Sequence, residues 1–99
     1  MSYRAPLSDI SFMLANVVDY NNLSSTSLYE DASLETTSAI LNELSKLAEE
    51  VLAPLQRVGD LSPAILENGV VRTSPGFSDG YKAVAQGGWI GVAANQKYG

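Results

Sequence analysis

The sequence contains no cysteine and no histidine. Their absence removes disulfides, thiol nucleophiles, Ser-His-Asp chemistry and the usual zinc or copper ligands together. Charged residues are also scarce, 17% of the chain against a typical ~25%, so some of the surface is expected to be hidden against something else. Six basic and eleven acidic side chains leave a net charge of −5. The basic ones, Arg4, Lys46, Arg57, Arg72, Lys82 and Lys97, are scattered with no two adjacent. Nucleic-acid binding relies on clustered Lys and Arg to displace counterions from phosphates, and is set aside; an anionic membrane surface is disfavoured for the same reason. No run approaches the ~20 apolar residues of a membrane span. The opening "MSYRAPLSDISFMLANVVDY" has neither the continuous apolar stretch nor the small-residue cleavage site of a signal peptide. The lack of Cys fits a reducing compartment, and the cytoplasm is the expected location.

What is present suits a globular chain: 99 residues, 45% hydrophobic, with room for one domain and a modest core. Period and punctuation predict an all-α fold of three helices, near 8–20, 33–58 and 75–87, with a short hairpin near 65–73. In the first helix Ser8 is the expected N-cap, and Ile10, Met13, Leu14 and Val17 form one stripe. Phe12 and Val18 lie off that stripe, so the helix is apolar on more than one side. The polar stretch "NNLSSTSLYEDAS" reads as a loop, because Ser and Asn side chains compete for backbone hydrogen bonds.

The second helix is expected to be capped by Ser33, with Glu35 at the positive end of the dipole and apolar residues at 40, 41, 44, 47, 48, 51, 52 and 55. Pro54 should kink or end it, and Gly59 should supply a left-handed stop. In "ILENGVVRT", Asn68-Gly69 between two apolar runs predicts a tight two-residue hairpin. For the third helix, Ser74 is the expected cap and Pro75 the first helical residue. Phe77, Tyr81 and Val84 line one face, and Gly87-Gly88 forms the end.

Candidate chemistry is thin. Glu49 and Glu50 are adjacent, hence about 100° apart on a helix, and cannot share a proton; a solvated face explains them. Asp60 and Asp79 read as caps or surface charges. The glycines of "GGWIG" follow a helix, whereas a phosphate cradle needs a strand before and a helix after. No catalytic, cofactor-binding or metal-ligating residue is assigned. Tyr3, Phe12, Phe77, Tyr81, Trp89 and Tyr98 form an aromatic set large for so small a core, suited to core, interface or both. Three helices cannot cover each other's apolar stripes fully, so the chain is expected either to assemble with something or to belong to a longer one.

Three stretches, "YRAPL", "EVLAPLQRVGD" at 50–60 and "LENGVVRTSPGFSDGYKAVAQGGWIGVAANQKYG" at 66–99, carry a family likeness. Together they resemble the N-terminal region of flavin-dependent acyl-CoA dehydrogenases, in particular the large bacterial branch with an N-terminal extension. That branch includes the 3-methylmercaptopropionyl-CoA dehydrogenases and the AidB-like proteins. The resemblance implies that residues 1–30 are an extension and that 31–99 begin the helical N-terminal domain, stopping before the flavin-binding β-domain. It further implies that FAD and the catalytic Glu belong to later domains, so that acyl-CoA is bound only by the complete enzyme and this chain alone is inactive. Arg4, Phe12, Trp89 and Tyr98 are offered as interdomain or subunit contacts. Two departures stand out: Gly80 where the family more often has Ala, a weakening of the helix by roughly 1 kcal/mol, and Ser74 in place of a common proline. The competing reading is a stand-alone helical oligomerisation or interaction module without catalysis; if the fragment crystallises, swapped or intertwined helices are expected, because such exchange satisfies orphaned faces.

Overall fold

The computed structural model describes residues 2–98. It is mostly helical with one small two-stranded sheet, and its backbone contacts divide it into two units, Met1–Ala48 and Glu49–Gly99.

In the first unit, α1 spans Leu7–Phe12 and continues into a π-type turn over Met13–Val17. Pro6, not Ser8, is the residue flanking the helix, and no side chain caps it; Ser8 lies inside the first turn. The helical run ends at Val18 because Asp19 adopts a left-handed backbone, φ 56° and ψ 58°, a conformation Asp tolerates better than most residues. Asp19 then flanks a short helix that the polar sequence does not announce, α2 over Tyr20–Ser24. The hydroxyls of Ser24, Ser25 and Thr26 donate back to the carbonyls of Asn21, Asn22 and Leu23 at 3.0, 2.6 and 2.7 Å. Side chains expected to break a helix here satisfy the carbonyl groups at its end. A 3₁₀ turn, Ser27–Tyr29, follows.

Helix α3 spans Leu34–Lys46 and begins as the sequence reads: Ser33 is extended, and its Oγ accepts from the Thr36 amide at 3.1 Å. α1 packs against α3, and the Thr37 hydroxyl donates to the Tyr20 hydroxyl at 3.2 Å, tying α2 to the same helix.

From α3 the backbone passes through a second π-type turn, Leu47–Leu52, into α4, Ala53–Leu61. Pro54 therefore does not end the helix. It sits in the first turn of α4, where a missing amide proton costs nothing, and the widened turn before it absorbs the ring. Gly59 is not a left-handed stop either: it lies inside α4, outside the positive-φ residues, and the helix runs on to Leu61.

In the second unit, β1 (Ile65–Glu67) and β2 (Val70–Arg72) form the expected antiparallel hairpin, pairing Ile65 with Arg72, Leu66 with Val71 and Glu67 with Val70. Asn68 and Gly69 carry φ of 52° and 76°, the two positive values a primed two-residue turn requires. Ser74 and Pro75 do not open the third helix. The Phe77 amide donates to the Ser74 carbonyl at 3.2 Å and Gly76 has φ 84°, so Ser-Pro-Gly-Phe is a type II turn with Pro and Gly at its two central positions. Helix α5 starts after it, spans Phe77–Gln86 and ends at Gly87 and left-handed Gly88. A 3₁₀ turn, Trp89–Gly91, closes the regular structure.

Among the described residues no apolar side chain is buried; the buried positions are Ser45, Ser74 and Gly80.

Candidate functional site

The second unit carries a groove of about 330 Å³ lined by Leu52, Leu55, Gln56, Phe77, Gly80 and Tyr81. It exists because α4 and α5 meet through missing side chains. A Cβ added to Gly80 would stand 2.5 Å from Leu55 Cδ1, and one added to Gly76 would stand 2.9 Å from Leu55 Cδ2. Leu55 is thus seated in a notch made by two glycines four residues apart, which share one face of the helix end. In return the Phe77 ring lies over α4, where a Cβ on Gly59 would meet its Cζ at 2.8 Å. Half-burial of Leu52 and Leu55 and exposure of Phe77 and Tyr81 leave the groove open along one side.

Chemically the groove can hold an apolar group and do little else. Its lining has no carboxylate, imidazole, thiol or amine; only the Gln56 amide and the Tyr81 hydroxyl are polar. A flavin, implied by the resemblance, needs hydrogen-bond partners along its ring edge and cationic groups or helix N-termini for its pyrophosphate. The lining does not supply that set. Among the described residues no group of three acidic side chains could hold a metal ion, and no helix is long and apolar enough to cross a membrane.

The four contact candidates fall two in each unit. Arg4 is exposed before α1, and Phe12 is 61% exposed at the end of that helix. Trp89 is half-buried: its ring folds back on α5, so that a Cβ on Gly87 would lie 2.5 Å from its Nε1. Tyr98 is 80% exposed, with Lys97 Nζ 5.5 Å from its ring centroid. None of the four lines the groove. Sequence reasoning noticed Leu52, Leu55, Phe77 and Tyr81 as stripe residues, but it read Gly59 and Gly80 as a stop and a weakness. The spacing G-F-S-D-G at 76–80, two glycines at i and i+4, was the signal available.

No family model matches the chain. The chain is similar over all its 99 residues to 3-methylmercaptopropionyl-CoA dehydrogenase of Ruegeria pomeroyi, at 29% identity. That alignment covers 100% of this chain and 17% of the relative. The resemblance to acyl-CoA dehydrogenases read from the sequence is upheld by this match.

Proposed function

We propose that this chain is the N-terminal helical region of a larger FAD-dependent acyl-CoA dehydrogenase, an enzyme that oxidises the Cα–Cβ bond of an acyl-CoA in the cytoplasm. Residues 1–30 are its extension and 31–99 the start of its helical domain. The observation that carries this reading is full-length similarity to an acyl-CoA dehydrogenase that is itself covered to only 17%. The absence of any fully buried apolar side chain among the described residues supports it, because such faces require cover from polypeptide outside this chain. The role of these residues is to pack, with Arg4, Phe12, Trp89 and Tyr98 as contacts to other domains or subunits; FAD and acyl-CoA are held by the complete enzyme.

The test is flavin retention. The 99-residue chain mixed with FAD and an acyl-CoA is expected to come through gel filtration colourless and to turn nothing over, whereas a polypeptide extended along the coding sequence past codon 99 is expected to keep flavin. Stoichiometric FAD on the short chain would overturn the proposal. The exposed apolar faces also suit an oligomerisation module, and light scattering separates the two. A tight stoichiometric oligomer favours the module, a monomer the domain of a larger enzyme.

A further inference from the structure

We infer that Asn68 is a site of spontaneous backbone rearrangement, losing its side-chain amide to form aspartate and isoaspartate at the tip of the hairpin. The reaction is intramolecular. The Gly69 amide nitrogen, its proton taken by solvent base, attacks Asn68 Cγ. The N–Cγ bond forms, the Cγ–Nδ2 bond breaks, and the nitrogen takes up a proton and leaves as ammonia. Water then opens the cyclic imide at either carbonyl, giving Asp or isoAsp with no change of oxidation state.

Three observations single out this position. Asn68 is the asparagine followed by glycine, and open space surrounds Gly69: nothing lies within 4 Å of where its Cβ would be. The closing pair of the ladder is Glu67 with Val70, so the Gly69 amide stands outside the strand pairing. The hairpin has only three pairs, all of them exposed, and a ribbon that short opens readily. Asp79-Gly80 offers the same kind of step in principle but is held shut. Gly80 is buried and its amide donates to the Gly76 carbonyl at 2.9 Å. The two products differ in consequence. Aspartate keeps a left-handed turn residue and adds one negative charge, whereas isoaspartate inserts a carbon into the main chain and cannot keep the two-residue turn.

The chain is incubated in heavy-oxygen water at mildly alkaline pH, folded and in urea, then digested and mapped. Heavy oxygen should enter residue 68 roughly an order of magnitude faster than Asn16, Asn21, Asn22, Asn42 or Asn95, since only glycine leaves the attacking nitrogen unshielded. Isoaspartate should predominate, and Gly69→Ala, read in urea where turn geometry is irrelevant, should slow the labelling. Label spread evenly over the asparagines would overturn the inference. So would a folded-state rate suppressed by far more than about tenfold relative to urea, because the marginal hairpin would then be protecting its own tip.

Discussion

Leu55 sits where a methyl group on either Gly76 or Gly80 would have to be, and the contact of α4 with α5 depends on that vacancy. Gly80→Ala illustrates two opposed effects. The helix gains up to ~1 kcal/mol of propensity, while Leu55 must turn aside into the groove, which has room for it. The expected net change is within about 0.5 kcal/mol. Gly80→Val has no such escape, because its branch meets Leu55 and Leu52 together, and should cost ~1–3 kcal/mol. Hydrogen-exchange protection of the α5 amides measures both; a Val variant as protected as the parent would remove the notch from the account. The resemblance places Ala more often at this position, so relatives with Ala there are expected to carry a smaller or differently turned residue opposite it.

Elements form here for reasons that range from local to contextual, and legibility follows that range. Helix α3 is local: Ser33 both caps and is read as a cap, and Ser33→Ala should cost ~1 kcal/mol of helix stability. The loss should appear as faster exchange of the Thr36 and Thr37 amides, with α5 unaffected; unchanged exchange would contradict the cap. The hairpin is equally local, since Asn68-Gly69 meets a demand for positive φ that few dipeptides satisfy. Helix α2 was illegible because the same Ser and Thr hydroxyls can break a helix or close it, and only their i−3 bonds decide. Pro54, expected to kink or end the helix, does not end it: the α-type ladder gives way to a wider turn just before the proline and resumes through it. Ser74-Pro75 looked like cap and first residue, yet Gly76 turned the pair into the corner preceding α5. The groove was half visible, as stripes on two helices, and its geometry was not, because contact between helices is fixed by side chains that are missing.

At the scale of the molecule the decisive quantity is exposed apolar surface. The chain has 45% hydrophobic residues, yet among those described none of the apolar ones is fully buried. A dye that brightens in apolar surroundings should therefore bind the isolated chain under native conditions, and far less if the chain is part of the larger enzyme proposed above; no brightening with the 99 residues alone would count against uncovered faces. The same surface has a calorimetric consequence. The heat capacity of unfolding comes from apolar groups newly wetted as the chain opens, and here many are wet beforehand. A scan of the isolated chain should give an increment well below the ~1.2–1.5 kcal/mol/K usual for this length. Its stability should then vary almost linearly with temperature, with little of the curvature that weakens small domains on cooling below their stability maximum.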